Sequence, residues 1–361
     1  MEKQNIYQDI FARTGGEIYL GVVGPVRSGK STFIKRFMEQ MVLPEIADEN
    51  EKQRTMDEMP QSGTGKTIMT TEPKFIPKEA VELLLEEMKV KVRLIDCVGF
   101  MVPGAGGHLE NGQERLVKTP WFDDAVPFTR AAEYGTRKVI RDHSTIGILV
   151  TTDGSFGEIP RDSYVEAEKR TVEELQAIGK PFLVLLNSER PYSKATQNLA
   201  ENLTKEYKTT VMAVNCDQLR QEDIQEILKN VLLEFPLSSV GFYLPKWVET
   251  LRDDHWMKKS VLDLMKEFMT DREKMKDVYQ KSIPSNACME SAKIENIHMD
   301  TGEVEIKIQI KDAYYYEILS DLTGISIRNE YHLIRTMKEL AAKKKEFEEV
   351  SQALNYRNRK W

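Results

Sequence analysis

The sequence predicts a doubly wound α/β domain built around a phosphate-binding loop, followed by a smaller α+β domain. Three observations predict it. Short continuous apolar runs alternate with helical patterns through most of the chain. One of them, Ile18 to Val23, leads straight into Gly24-Pro25-Val26-Arg27-Ser28-Gly29-Lys30-Ser31, with a helical pattern immediately after. Past Phe235-Pro236 the alternation gives way to amphipathic stretches and one period-2 strand. The domains are therefore expected at residues 1–236 and 237–361.

Strands are expected at 17–23, 90–96, 145–150, 181–187 and 210–214. VRLID, IGILV, FLVLL and VMAV are apolar without alternation, as parallel strands covered on both faces require. Helices are expected at 30–41, 163–178, 195–206 and 218–234, and this alternation implies helices on both sides of the sheet. Residues 42–72 and 99–135 break the rhythm with polar, Gly-rich and Pro-rich sequence and read as long loops beside the phosphate site, where switch loops belong. In the second domain, Lys246 to about Lys281 forms one long amphipathic stretch carrying Trp247, Leu251, Trp256, Val261, Leu264, Met265 and Phe268. Ala292–His298 and Gly302–Ile310 read as a hairpin with helices on one face, since Val304, Ile306, Ile308 and Ile310 alternate with Glu305, Lys307 and Gln309. The last element is a charged helix from about Tyr331. Its near-heptad residues Leu333, Met337, Leu340, Phe347, Val350 and Leu354 are interrupted by Lys344 and Ser351, which favours a surface helix over a coiled coil.

Composition narrows the function. The chain has 361 residues, 40% hydrophobic and 30% charged, with a net charge of −7. That balance argues against nonspecific nucleic-acid binding, which needs basic patches. No apolar run approaches the ~20 residues that cross a bilayer, and MEKQNIYQDI lacks the apolar core of a signal peptide, so a cytosolic location is expected. The three widely spaced cysteines, Cys97, Cys216 and Cys288, fit a reducing compartment and a packing role.

The motifs carry the chemistry. Gly24 to Ser31 has the G-x-x-x-x-G-K-[ST] spacing in which backbone N–H groups cradle phosphates at the start of a helix. Gly24, Arg27, Ser28, Gly29, Lys30, Ser31 and Thr32 are the expected phosphate-loop contacts, with Lys30 on the β/γ-phosphates and the Ser31 hydroxyl on Mg²⁺. Asp96 ends the strand at 90–96 within D-x-x-G, where it can hold Mg²⁺ through water, and Gly99 lets a backbone N–H approach the γ-phosphate. Between them, Thr70 or Thr71 can ligate Mg²⁺ and sense the γ-phosphate, and spacing does not choose between the two. Gly65-Lys66-Thr67 mimics a second phosphate loop, but Pro60 stands where its first glycine should be.

The base pocket departs from the GTPase pattern. Where N-K-x-D is usual, this chain has Asn187-Ser188-Glu189-Arg190. Arginine offers only donors, and the guanine edge it would meet also donates, so adenine becomes the expected base and ATP the expected nucleotide. Phe100 stands where small GTPases carry a water-orienting glutamine, and it cannot hydrogen-bond water.

The blocks LGVVGPVRSGKSTFIK, GKTIMTTEPKF, LIDCVGF, TPWF, GTRKVI, HSTIG, TTDG, GKPF, NSERPY and LPKW resemble the stage IV sporulation protein A family, spore-coat morphogenetic ATPases of endospore-forming bacteria. The resemblance implies a fold descended from translation-factor-type GTPases, with ATP and Mg²⁺ as cofactors. On it, Lys30, Thr70, Thr71 and Asp96 are the catalytic residues, Ser31, Thr71 and Asp96 the metal site, and Asn187 joins the phosphate loop in nucleotide binding. It further implies self-assembly into a homopolymer on the outer forespore membrane, in the mother-cell cytosol, with only peripheral membrane association and no nucleic-acid partner. Coat proteins and a small amphipathic membrane peptide are the implied partners. They would act mainly through a C-terminal domain that the resemblance places beyond this chain and that it also implicates in assembly, so this chain is expected to hydrolyse ATP yet assemble or localise poorly. A regulatory GTPase and a small-molecule kinase are the alternatives. Arg190 and the acidic charge speak against the first, and the lack of an arginine-rich lid against the second.

Overall fold

The computed structural model describes Thr14 and residues 17–46, 48–60, 73–85, 88–110, 113–270 and 272–358. The chain divides into two compact units. The first comprises Met1–Ser238 with Glu273–Gln280 and His298–Gly302, and the second Ser239–Arg272, Lys281–Ile297 and Glu303–Trp361.

The first unit is built on a six-stranded sheet. Its strands are β1 (Glu17–Val23), β2 (Lys74–Leu85), β3 (Met88–Asp96), β4 (Ile146–Thr152), β5 (Phe182–Asn187) and β6 (Val211–Val214), in the spatial order β6-β5-β4-β1-β3-β2. All neighbours are parallel except the edge strand β2, which runs antiparallel to β3. From β1 the chain steps outward one way to β3 and the other way through β4, β5 and β6. Order therefore reverses at β1, and a crevice opens at the carboxyl ends of the strands there. Both β4 and β5 are buried along their whole length, as their uninterrupted apolar sequence requires.

The helices are α1 (Lys30–Phe37), α2 (Glu49–Glu58), α3 (Phe128–Lys138), α4 (Asp162–Ile178), α5 (Lys194–Tyr207) and α6 (Gln221–Leu233). Against one part of the sheet, Val172 and Leu175 of α4 and Leu203 and Tyr207 of α5 share a core cluster with Leu149, Val184 and Leu186. The pattern expected for α1 to residue 41 is an α-helix to Phe37 continued by a π-turn over Met38–Val42.

Three elements differ from expectation. Part of the loop expected over 42–72 is helix α2, whose Asp48 cap accepts from the Asn50 and Glu51 amides at 2.8 and 2.9 Å. Its one buried residue is Thr55, so no apolar stripe announced it. The loop expected over 99–135 contains most of α3, whose buried face is Phe128, Ala131, Ala132, Gly135 and Thr136. Small residues carry that face, which leaves its hydrophobic period faint. Strand β2 contains Pro77 and a register shift between Ile76 and Val81, features tolerated at a sheet edge.

The second unit holds a three-stranded sheet of β7 (Ser239–Tyr243), β8 (Met289–His298) and β9 (Glu303–Ile310), in the order β7-β9-β8. The expected hairpin therefore gains a third strand, β7, which pairs in parallel with β9. In β9, Val304, Ile306, Ile308 and Ile310 are all buried. The single amphipathic stretch resolves into α7 (Lys246–Glu249), α8 (Trp256–Met269) and α9 (Met275–Gln280). Met257, Val261, Leu264 and Phe268 line the buried face of α8, while α9 clusters with the first unit. Helices α10 (Asp312–Thr323) and α11 (Glu330–Asn358) follow. On α11, Ile334, Met337, Leu340, Phe347 and Val350 are exposed.

Candidate active site

The loop between β1 and α1 wraps tightly because its residues permit it. Gly29 has φ 106° and a Cβ there would strike the Asn187 amide; Gly99 has φ 92° and a Cβ there would strike the Gly24 carbonyl and Lys30 Nζ. Only glycine satisfies both the left-handed backbone and the close approach. Arg27, at φ 64°, holds a left-handed conformation that most side chains avoid.

Lys30 folds back beneath this loop. Its Nζ donates to the Pro25 carbonyl at 2.7 Å and the Gly24 carbonyl at 3.3 Å. The side chain is buried, which lowers its pKa against the opposing pull of Cys97 and Asp96. Strand β3 delivers Asp96 across the crevice, where Ser31 Oγ donates to Asp96 Oδ2 at 3.2 Å. Burial pushes the Asp96 carboxyl up, more than Lys30 and the Ser31 hydrogen bond pull it down. Asp96 Oδ1 and Ser28 Oγ are buried without hydrogen-bond partners among the described residues. A hydroxyl beside a carboxylate with a spare buried oxygen is a hard-oxygen donor set suited to Mg²⁺, so these residues fit the expected ion.

Asn187, at the end of β5, ties the site together. Its Nδ2 donates to the Ser28 carbonyl at 3.1 Å and its Oδ1 accepts from the Cys216 amide at 3.0 Å. Phe100 contributes its backbone, whose carbonyl accepts from the Val26 amide at 2.9 Å. The Phe100 ring is buried with Val26, Val102, Ile159 and Tyr164, under the Arg170 guanidinium. A ring so placed leaves the orientation of an attacking water to other groups.

Gly24, Arg27, Ser28, Gly29, Lys30, Ser31, Asp96, Gly99 and Asn187 thus converge on one end of the sheet. Thr32 lines the adjoining cleft of about 390 Å³ with Arg27, Gly29, Lys35, Arg36, Glu39, Phe156, Asn187 and Asp217. Thr67, Thr70 and Thr71 lie outside the described residues. Arg190 is exposed on the loop after β5. Sequence reasoning did not single out Phe156 or Asp217; the signal for Asp217 was its place just beyond a strand parallel to the one that carries Asn187. The three cysteines are buried free thiols. Burial pushes Cys97 to about 11 and Cys216 to about 12, so neither is a thiolate at neutral pH.

Among the described residues, no helix is long and apolar enough to cross a membrane. The family model described as stage IV sporulation protein A, ATPase domain, matches residues 1–236, and that of the middle domain of the same protein matches 237–360. The chain is similar to stage IV sporulation protein A of Bacillus anthracis, with 44% identity over 98% of this chain and 73% of that protein. It is similar also to that of Clostridioides difficile (strain 630), with 45% identity over 97% of this chain and 72% of that protein. Among solved structures, SsGBP in complex with GDP aligns at 18% identity and a TM-score of 0.32, covering 59% of this chain and 48% of that one. The chain belongs to the stage IV sporulation protein A family, a sporulation protein whose doubly wound phosphate-loop domain is an ATPase.

Proposed function

We propose that the chain binds ATP with Mg²⁺ and couples its hydrolysis to self-assembly into the basement layer of the spore coat, on the forespore surface in the mother-cell cytosol. The observation that carries the chemical part is the triad of Lys30, Ser31 and Asp96 at the topological switch of the sheet. Lys30 Nζ, now held by two loop carbonyls, is positioned to exchange them for β/γ-phosphate oxygens. Ser31 and Asp96, with Thr71, would hold Mg²⁺, which supplies positive charge to the phosphate oxygens. The Gly99 amide would meet the γ-phosphate, and Thr70 and Thr71 would orient water in place of Phe100. The family relationship supports the assembly part. A second copy of the chain is then the principal partner, with coat proteins and a small amphipathic membrane peptide as further ones.

Sedimentation of the purified chain with ATP, with a non-hydrolysable analogue and without nucleotide tests this reading. Pelleting with ATP alone is expected. Equal pelleting in all three would remove hydrolysis from assembly. Replacing Thr70 and Thr71 together by alanine should abolish turnover and spare ATP binding; loss of binding would remove the water-orienting role.

A further inference from the structure

The cleft beside the phosphate loop contains two carboxylates, Glu39 and Asp217, that stand apart from the phosphate-loop and Mg²⁺ residues. Strands β5 and β6 pair in parallel with Asn187 opposite Val214. The Ser188 amide donates to the Val214 carbonyl at 2.9 Å, and the Cys216 amide to Asn187 Oδ1 at 3.0 Å. Two loops therefore leave the sheet side by side, one carrying Arg190 and the other Asp217. The Asp217 amide donates to Asn215 Oδ1 at 3.1 Å, which folds this loop into a local turn. Asp217 Oδ1 lies 3.7 Å from an Arg36 nitrogen of α1. The same Arg36 donates to Glu39 at 3.1 Å, so Glu39 is the more firmly engaged of the two carboxylates in the cleft. Phe156 gives the cleft an apolar wall.

We propose that Asp217 reads the nucleobase and, with Arg190, selects adenine over guanine; this rests on the ATP reading above. Asp217 only accepts hydrogen bonds and Arg190 only donates them. Adenine presents a 6-amino donor beside the N1 acceptor, which matches Asp217 and Arg190 in turn. Guanine reverses both positions, with an O6 acceptor and an N1–H donor. In the same pose it sets oxygen against carboxylate and N–H against guanidinium, and a mismatched polar contact costs more than an absent one. The Asp217 side chain is 69% exposed, so water softens the mismatch. The selectivity expected from it is about tenfold, below the far larger factors of enclosed sites.

The test is competition of ATP, GTP and ITP against a fluorescent ATP analogue on the full chain, wild type and Asp217→Asn. ITP shares O6 and N1–H with guanine and lacks its 2-amino group. The wild type should prefer ATP over both GTP and ITP. In Asp217→Asn, whose amide can donate to O6, both ratios should fall by about tenfold. Ratios unchanged within twofold, or wild-type ITP binding as tight as ATP, overturn the assignment. A folded variant that binds no nucleotide also overturns it, since Asp217 would then serve the loop and not the base. A wild type that binds no ATP, or favours GTP, instead sinks the ATP reading itself.

Discussion

Lys30 and Asp96 show at the level of single residues how the site is held ready at a cost in stability. Each is a charged group that burial disfavours, one pKa moved down and the other up. For a carboxyl raised by burial, the charge is a burden on the folded state at neutral pH. Asp96→Asn keeps the shape and the Ser31 contact and discards the charge. Lys30 loses a countercharge at the same time, so the two effects oppose and the nucleotide-free variant should melt within about 3 °C of wild type, while Mg²⁺-dependent turnover is lost. A melting curve shifted by more than that would contradict this account. Asn187 works the opposite way, since its two bonds satisfy backbone groups of two different loops. Asn187→Ala strands both and should cost about 2 kcal/mol, with weaker ATP binding, measured by urea melts and nucleotide titration. These residues were legible because chemistry fixes their spacing along the chain. Asp217 and Phe156 were not, because their placement depends on which strands neighbour each other, and β6 lies three strands from β1.

At the scale of elements, the buried polar cluster between β4, α4 and α5 deserves the clearest test. Glu168 is fully buried and accepts from both guanidinium nitrogens of Arg161, from the Thr151 hydroxyl and from the Tyr207 hydroxyl. Burial and the Glu168 charge together push the Tyr207 hydroxyl far up, so it remains a donor. The four side chains join a strand to two helices, and the other three depend on the Glu168 carboxylate. Glu168→Ala leaves the Arg161 charge without its partner, a loss of about 3–5 kcal/mol, read by denaturant unfolding; a change below about 1 kcal/mol would show that water replaces the carboxylate. The parallel strands and the amphipathic helices around this cluster were plain from their apolar periods. Helices α2 and α3 and the edge strand β2 were not. The first buries one residue, the second buries mostly small ones, and the third interrupts its own pattern with Pro77.

Across the whole molecule, the first unit is completed by a segment from much later in the sequence. Glu234, at the end of α6, is buried and paired at 2.7 Å with both Lys274 and Lys276, and it also accepts from the Thr210 amide and hydroxyl at 2.6 Å. Burial alone would raise its pKa, but the two lysines and Thr210 together hold it below the usual 4.5. A carboxyl lowered on folding stabilises the chain above its unfolded value and stops doing so as pH falls through the folded one. Stability should therefore drop as pH is lowered below about 4.5. Glu234→Gln should flatten that acid limb, and at pH 7 it should cost about 3 kcal/mol, because two ammonium groups lose their counterion. Thermal melts from pH 3 to 7 would show both effects, and an unchanged acid limb would refute the assignment. Nothing in the local sequence disclosed this contact, since Lys274 and Lys276 lie in a stretch whose periodicity suggested only another amphipathic helix.

That returning segment bears on how the nucleotide-binding half could be produced alone. A recombinant fragment ending at 236 would strand the Glu234 carboxylate without either lysine. The Leu237 amide already donates to the Glu273 carbonyl at 2.9 Å, so Ser238 and Glu273 stand close enough for a short glycine splice. Such a splice, omitting 239–272 and stopping after 280, would restore both counterions in a single piece.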